Sequence, residues 1–351
     1  MTYGGPQDCP FPHGADVCVS GALPEPPRVG LQVWYIDRWG TITANENFDA
    51  EKSCLRFRKA MKGLGTDFSA ITRETVAHEN LQRQMIRETY MKHGRDLIKD
   101  LKKELGGSYA DTILALFEAP YDLLVSALHY AFRRASTDEK ALTDILCCRT
   151  SEELASIKEH YENRYNKPLD DQLESELSGE FQILMRSLVA ADRDQSQTVD
   201  APKAKSDAQM LYDAGVGNKS EDDTEDFITI FNTRSYAQLQ ETFEEYQRLA
   251  GRPIEDAIDT DFSGDMRKGL LAIVQRVRDP LGFYAERLNQ TMAGPGTDDK
   301  ALIRIIVSRS EIDLADIKER YKEMYDRELA DDVRDDTSGE YQKLLLAIIN
   351  N

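Results

Sequence analysis

Two short loops of the sequence combine residue types that can hold a divalent metal ion. They read Met61-Lys-Gly-Leu-Gly-Thr-Asp67 and Met292-Ala-Gly-Pro-Gly-Thr-Asp298, with glycines at alternate positions. Glycine tolerates a positive φ, so this backbone can turn until successive carbonyl oxygens converge. Calcium takes about six to eight oxygen ligands, and carbonyl oxygens with one bidentate carboxylate satisfy it. Both loops are therefore predicted to bind calcium.

Each loop has a candidate carboxylate ligand further along the chain. Glu104 lies 43 residues after Met61, Asp336 lies 44 residues after Met292, and a glycine follows each carboxylate three positions later. A helix–turn–helix of this length can return the carboxylate to the loop. Three carbonyls, two carboxylate oxygens and two waters, roughly seven oxygens, would complete the shell and leave room for an outside ligand such as a lipid phosphate.

The carboxylate-x-x-glycine pattern occurs four times, which indicates internal repeats. The four glycines, separated by 72, 85 and 75 residues, are Gly107, Gly179, Gly264 and Gly339. The longer middle interval contains residues 193–206, a polar stretch with a proline that is typical of a linker. We therefore predict an N-terminal tail at 1–45 and repeats at 46–118, 119–192, 207–279 and 280–351.

Apolar residues within the repeats follow a helical period. One spacing occurs twice, in Leu154, Ile157, Tyr161, Tyr165 and in Leu314, Ile317, Tyr321, Tyr325. Short helices with apolar pairs at i and i+4 follow in every unit: Leu97/Leu101, Leu169/Leu173, Ile254/Ile258 and Leu329/Val333. No alternating strand pattern recurs. The predicted fold class is all-α, with four multi-helix units of about 70 residues that bury apolar faces on their neighbours.

The first 45 residues lie outside this scheme. Prolines exclude a helix from residues 21–30, and residues 31–39 then carry both tryptophans of the chain, Trp34 and Trp39. We expect this segment to pack on the core. The alternative is a role in binding a partner or a membrane interface.

The composition argues against several classes of protein. The 351 residues carry 63 acidic and 44 basic side chains, a formal charge of −19, which disfavours nucleic-acid binding. No apolar run approaches the roughly 18 residues that span a bilayer, and the start lacks a secretory signal. We expect a cytoplasmic protein, with export by another route left open. The five cysteines predict no disulfide framework, and Cys9, His13 and Cys18 provide one ligand too few for a structural zinc site.

The loops and repeats closely resemble the annexin family. The resemblance rests on the Met-x-Gly-x-Gly-Thr-Asp loop, the later carboxylate before x-x-Gly and four repeats of this length, and it covers about residues 46–351. The runs at 227–235 and 308–314 add to it. The resemblance implies five helices per repeat in a curved disc with calcium loops on its convex face. It also implies calcium-dependent, reversible binding to membranes that contain acidic phospholipids.

Carried over residue by residue, the family's metal site is complete in two repeats. The implied ligands are Met61, Gly63, Gly65 and Glu104 in repeat one, Met292, Gly294, Gly296 and Asp336 in repeat four, and Gly215, Gly217 and Asp261 in repeat three. Repeat two departs from the pattern because Arg134 and Ser136 replace both loop glycines. Its Glu176 is expected to be a salt-bridge partner or a solvated carboxylate. The repeat-three loop is lengthened and lacks Gly-Thr-Asp, so its calcium binding stays open.

The resemblance implies two further sets of residues. A weaker metal site uses a carboxylate just inside the second helix, and Asp299 after Thr297 matches it. Phe68 at the corresponding position of repeat one cannot bind a metal, and we expect it either near the membrane or on an ordinary helix face. An arginine with a buried structural role ends the second helix of several repeats, matched here by Arg149, Arg234 and Arg309. Repeat one has His78-Glu79 there instead.

The acidic charge decides how such a protein could approach a membrane. Anionic headgroups attract basic segments, and this sequence has none. A bound cation inverts the local charge, so attachment must depend on calcium. The leading hypothesis is a non-enzymatic protein that binds anionic, phosphatidylserine-type membranes through calcium and organises or scaffolds them. The second is a helical scaffold for protein partners, in which calcium only stabilises loops.

An enzyme is not favoured, because the sequence lacks a nucleophile elbow, a phosphate loop and a His-Glu-x-x-His motif. The cofactor implied by the loops is Ca²⁺ alone. We expect attachment at the membrane to be peripheral and to require calcium. The N-terminal tail is left open to a protein partner or to self-association.

Overall fold

The computed structural model of the chain describes residues 39–63, 65–134, 136–190, 192–215 and 221–351, with the backbone alone at 221–223. All regular secondary structure in these ranges is helical, and 20 helices follow one another, five in each repeat. This confirms the all-α prediction and the four repeats. Trp34, Cys9, His13 and Cys18 lie outside the described residues.

The five helices of each repeat have similar lengths and the same order. Repeat one contains α1 (Ala50–Ala60), α2 (Phe68–Val76), α3 (Asn80–Lys92), α4 (Leu97–Glu104) and α5 (Gly107–Phe117). Repeat two contains α6 (Pro120–Phe132), α7 (Glu139–Leu146), α8 (Ser151–Tyr165), α9 (Leu169–Glu176) and α10 (Gly179–Val189). Repeat three contains α11 (Ala201–Ala214), α12 (Glu221–Thr233), α13 (Tyr236–Ala250), α14 (Ile254–Asp261) and α15 (Gly264–Arg278). Repeat four contains α16 (Pro280–Met292), α17 (Asp299–Arg309), α18 (Leu314–Tyr325), α19 (Leu329–Asp336) and α20 (Gly339–Ile349).

The predicted apolar faces form the core. Leu154, Ile157 and Tyr161 of α8 are at most 2% exposed, and the equivalent residues of α18 are fully buried. The i, i+4 pairs of the short helices are buried as well, including Leu97 with Leu101. Burying one such aliphatic side chain contributes about 1.5–3 kcal/mol, so these faces, rather than the loops, hold the repeats together.

The second helix begins in the same way in three of the repeats. Asp67, Asp138 and Asp298 cap α2, α7 and α17, and each carboxylate accepts a backbone N–H three residues later, at 2.9, 3.0 and 3.2 Å. A carboxylate here satisfies an unpaired N–H and interacts favourably with the helix dipole. The N–H of each aspartate also donates to the carbonyl seven residues earlier, at 2.8–3.1 Å. The three preceding loops therefore have the same length and the same ends.

Contacts between repeats join the helices that these loops precede or follow. Helices α2 and α5 pack against α20, and α17 packs against both α5 and α6. The Ser108 hydroxyl at the start of α5 donates to the Asp299 carboxylate at the start of α17, at 2.8 Å. We call the surface formed by the α1–α2, α6–α7 and α16–α17 loops the loop face.

The predicted linker at 193–206 is shorter in the structure. Residues 201–206 belong to α11, which Asp200 caps by accepting the Lys203 N–H at 3.0 Å. Pro202 lies in the first turn, where a backbone N–H has no partner within the helix and its loss is tolerated. The proline that suggested a linker instead marks the start of a helix.

The segment before the first helix attaches to repeat four through its backbone. The N–H groups of Thr41 and Ile42 donate to the Ser310 carbonyl at 2.7 and 2.9 Å, and the Ala315 N–H donates to the Trp39 carbonyl at 3.0 Å. Ile42 is buried, but the Trp39 side chain is 64% exposed. Packing on the core was expected for residues 31–39, and it is wrong for the Trp39 ring because backbone hydrogen bonds dock this segment without burying that side chain.

Candidate metal centre

The α1–α2 and α16–α17 loops hold their two glycines in similar backbone conformations. Gly63 and Gly65 have φ values of 112° and 99°, and Gly294 and Gly296 have values of 99° and 88°. These angles lie in a region that residues with a side chain rarely adopt, which explains the alternate glycines. The side chain of the methionine that opens each loop packs against the core and anchors that end.

In both of these repeats the later carboxylate reaches the loop. The Thr66 hydroxyl donates to Glu104 Oε2 at 3.0 Å, and the Thr297 hydroxyl donates to the Asp336 carboxylate. Thr297 also donates to the Asp336 carbonyl at 3.0 Å. The sequence did not predict this contact between threonine and carboxylate. Their identical position in two loops was the available signal.

The α6–α7 loop of repeat two has the same length and the same helix cap as these two loops, but it lacks their glycine conformation. Within the described residues, positive φ values outside glycine occur only at Asn166 and Asp326, so neither Arg134 nor Ser136 reproduces the glycine conformation. Arg134 instead donates to the Asp138 carboxylate at 2.6 Å. Glu176 accepts the side-chain amide of Gln172, one turn earlier on its own helix, at 3.1 Å. Its carboxylate has no recorded contact with the described part of the α6–α7 loop.

Repeat three is intermediate. Asp261 at the end of α14 lies against the glycine that ends α11, because a Cβ on Gly215 would be 2.9 Å from Asp261 Oδ2. The carboxylate and the start of the loop therefore meet, as in repeats one and four. Gly217 lies outside the described residues.

The donors at these sites are mainly backbone oxygens. In the described part of the chain, no group of three or more His, Cys, Asp and Glu side chains could hold a metal ion. Each complete loop has its backbone carbonyl oxygens and a distant carboxylate joined to it through the threonine, and neither loop sequence contains Cys or His. An all-oxygen set of this kind suits a hard cation such as Ca²⁺ rather than zinc.

Asp299 and Phe68, which occupy equivalent positions, both contact a tyrosine near the start of a fifth helix. The Asp299 carboxylate accepts the Ser108 hydroxyl and lies beside Tyr341, whose pKa is raised by burial and by this charge. The Phe68 ring packs edge-on against Tyr109, with 5.2 Å between ring centroids. Phe68 is thus packed on its own repeat, and metal binding by Asp299 would compete with its bond to Ser108.

The predicted buried arginines are confirmed in two repeats. Arg149 pairs with Glu153 at 3.2 Å and Arg309 with Asp313 at 2.6 Å, and both guanidinium groups are at most 5% exposed. Arg234 pairs with Asp207 at 2.6 Å but is more open, with 20% of its side chain exposed. Repeat one uses a residue that the sequence argument did not find. Its buried guanidinium comes from Arg83, which donates to the Leu116 carbonyl at 2.6 Å and to Glu311 of repeat four.

Comparison with known families accounts for the four repeats and their loops. The annexin family model matches residues 52–116, 125–188, 206–273 and 283–348, one region in each repeat. The chain belongs to the annexin family. The resemblance seen in the sequence is therefore confirmed. Annexins are known for calcium-dependent phospholipid binding.

Individual annexins show how far the similarity extends. Annexin A11 of Mus musculus is 44% identical over 310 residues, which cover 88% of this chain and 61% of that protein. The 351-residue chain therefore matches only about three fifths of the length of annexin A11. The structure of annexin III matches with a TM-score of 0.87 at 37% identity, over 90% of this chain and 98% of that one. A calcium-bound annexin (Sm)1 matches with a TM-score of 0.80 at 28% identity, over 90% and 94% of the two chains.

Among the described helices of this annexin, none is both long enough and apolar enough to cross a membrane.

Proposed function

We propose that this protein binds membranes containing acidic phospholipids, reversibly and only with calcium, through ions held in the α1–α2 and α16–α17 loops. The ligands would be the loop carbonyls beginning at Met61 and Met292, with Glu104 and Asp336 as the bidentate carboxylates. The bound ion keeps coordination positions for a lipid phosphate and so bridges protein and membrane. A peripheral protein that organises or scaffolds the membrane would follow from this.

One observation carries the proposal. In two of the four repeats a loop with two left-handed glycines is joined to a carboxylate about 40 residues away, through the Thr66–Glu104 and Thr297–Asp336 contacts. The threonine hydrogen bond holds the carboxylate beside the loop. A dication needs only this loop and this carboxylate to gain about five protein oxygens.

The charge of the chain supports a switch rather than constitutive binding. At −19 the protein is repelled by an anionic surface. Each bound Ca²⁺ adds two positive charges at the loop face and places them where the membrane would lie. Removing calcium restores the repulsion and should release the protein.

Sedimentation with lipid vesicles tests the proposal. The protein should sediment with phosphatidylserine-containing vesicles in calcium, stay in solution in excess chelator, and stay in solution with purely phosphatidylcholine vesicles in both conditions. Equal binding to anionic vesicles with and without chelator would contradict it. A scaffold in which calcium only stabilises loops would instead show a calcium-dependent melting temperature and no vesicle binding.

Three finer assignments belong to the same proposal. Repeat three binds calcium through Gly215, Gly217 and Asp261, since its carboxylate already lies against the loop start. Asp299 forms a weaker second site only where it releases Ser108. The N-terminal tail binds a protein partner or a second copy, and unconventional export remains compatible with the whole scheme.

A further inference from the structure

The α6–α7 loop of repeat two contains the only pair of adjacent arginines in the sequence. Arg133 and Arg134 are followed, after one further residue, by Ser136. Two guanidinium groups therefore stand three and two positions before a serine hydroxyl. The calcium sites proposed above give this loop no role.

The three side chains are open to solvent. Arg133, Arg134 and Ser136 are all exposed. Arg134 pairs with Asp138 at 2.6 Å, but 53% of its side chain is accessible, and such an exposed pair contributes little and is easily exchanged for another. Within the described residues, Arg133 forms no ion pair with a carboxylate and the Ser136 hydroxyl forms no hydrogen bond. A second protein can therefore reach all three groups.

The backbone at Ser136 belongs to no helix. Residues 133–138 separate α6 from α7. On a helix the residue two positions earlier points roughly 200° away around the axis, so a hydroxyl and both preceding basic groups could not face one partner together. A loop does not impose this constraint. Ser206 provides the contrast, because it is exposed and follows Lys203 and Lys205 but lies within α11.

We propose that Ser136 is a phosphorylation site for an arginine-directed serine/threonine kinase. Such an enzyme recognises basic residues ahead of the serine through acidic groups in its substrate groove, and Arg133 and Arg134 provide two of them. The Ser136 hydroxyl oxygen attacks the γ-phosphorus of ATP, and its proton passes to the catalytic base of the kinase. The bond between the γ-phosphorus and its bridging oxygen breaks, so the products are phosphoserine and ADP.

The phosphate reverses the charge of this part of the loop face. Residues 133–140 carry three basic and two acidic side chains, a net charge of +1. A phosphoserine adds roughly −1.5 to −2, so the stretch becomes negative and opposes an anionic membrane. Phosphorylation should therefore weaken attachment without altering either calcium loop. This effect rests on the proposed function, whereas the modification itself does not.

Kinase treatment of the full chain tests the site. In excess chelator and without vesicles, an arginine-directed kinase that accepts Arg-Arg-x-Ser peptides should place phosphate on Ser136, which peptide mass spectrometry locates. Arg133→Gln with Arg134→Gln should slow the reaction at least about tenfold, because charged hydrogen bonds to the kinase are lost. Ser206 should stay unmodified. Phosphate on Ser206 and not on Ser136, or an unchanged rate in the double variant, would overturn the assignment.

Vesicle sedimentation tests the consequence. At saturating calcium, phosphorylation should raise the phosphatidylserine vesicle concentration needed for half-maximal binding about tenfold. Ser136→Ala, incubated with the same kinase and ATP, is the matched control and should bind like the untreated protein. No shift in the phosphorylated protein, or an equal shift in Ser136→Ala, would overturn the regulatory role. Unmodified protein that failed to bind in calcium would contradict the proposed function instead, and the kinase reaction in chelator would still decide the site.

Discussion

The loops of repeats one and two begin and end in the same way but differ in the backbone conformation between their ends. Both are closed by a backbone bond between positions seven residues apart, at 2.9 and 3.1 Å, and both end in an aspartate that caps the next helix. Gly63 and Gly65 then adopt positive φ, whereas Arg134 and Ser136 do not. The closing backbone bond and the helix cap do not involve these two positions, so both survive substitutions that remove the turn needed to gather carbonyl oxygens.

The carboxylates of these two repeats differ in the same way. Glu104 and Glu176 end equivalent helices, but Glu104 accepts from a loop threonine and Glu176 accepts from Gln172 on its own helix. The packing of repeat two is intact all the same, because Leu169 and Leu173 of α9 stay buried. The loop and its carboxylate can therefore change while the buried core of the same repeat stays the same.

The largest expected effect comes from removing both loop carboxylates. Glu104→Gln with Asp336→Asn keeps side-chain size and an acceptor for each threonine but removes the charge that a hard dication requires. We expect the calcium concentration for half-maximal vesicle binding to rise at least about tenfold for each single change and further for the pair. Calcium titration of vesicle sedimentation measures it.

Glu176→Gln is the matched control for that experiment. It makes the same chemical change at the equivalent helix end of repeat two and should leave the calcium titration unchanged. Melting temperature in chelator should not fall in any of these variants, because the carboxylates lie outside the buried faces. An equal response to Glu104→Gln and Glu176→Gln would remove the distinction between the two repeats.

A smaller effect is expected from the loop glycines. Gly65→Ala and Gly296→Ala meet no atom within 4 Å, so their cost is confined to a positive φ, about 1–2 kcal/mol each. The loop can relieve this strain only by turning its carbonyls away, and the calcium requirement should rise several-fold. Sedimentation and thermal melting are measured together.

Gly251→Ala provides the comparison for the glycine changes. Gly251 ends α13 with a φ of 70° and equal space around it, but it belongs to no loop of the loop face. It should lower the melting temperature to a similar extent and leave the calcium titration alone. If it shifts the titration as much as Gly65→Ala does, the loop glycines act through general stability.

The smallest expected effect concerns the threonines. Thr66→Val removes a hydrogen bond whose net contribution is about 0.5–1.5 kcal/mol, so the carboxylate is less well positioned and the calcium requirement should rise about twofold to fivefold. Thr137→Val in repeat two should have no effect on the same titration. A Thr66→Val effect as large as that of Glu104→Gln would mean that the hydroxyl itself carries the site.

Local patterns in the sequence were enough to predict the repeats and two loops. Helical periodicity depends on neighbouring residues, and so does the glycine spacing that gives Gly63 and Gly65 their conformation. The buried faces of α8 and α18 follow directly from it. The error at Pro202 is also local, since a proline is compatible with both a linker and the first turn of a helix.

Contacts between repeats could not be read from such patterns. Ser108 and Asp299 are separated by 191 positions, so their hydrogen bond exists only because α5 and α17 pack together. Arg83 takes the buried arginine role of repeat one from a different helix and reaches Glu311 across the same junction. Each of these features requires the assembled fold.

Diffraction from crystals grown in calcium tests the central claim most directly, since it locates each bound ion. The account predicts a metal ion in the α1–α2 loop within bonding distance of Glu104, another in the α16–α17 loop beside Asp336, and none between Arg134 and Glu176. A well-occupied calcium ion in the repeat-two loop would contradict it, and so would empty loops in repeats one and four at a calcium concentration that supports vesicle binding.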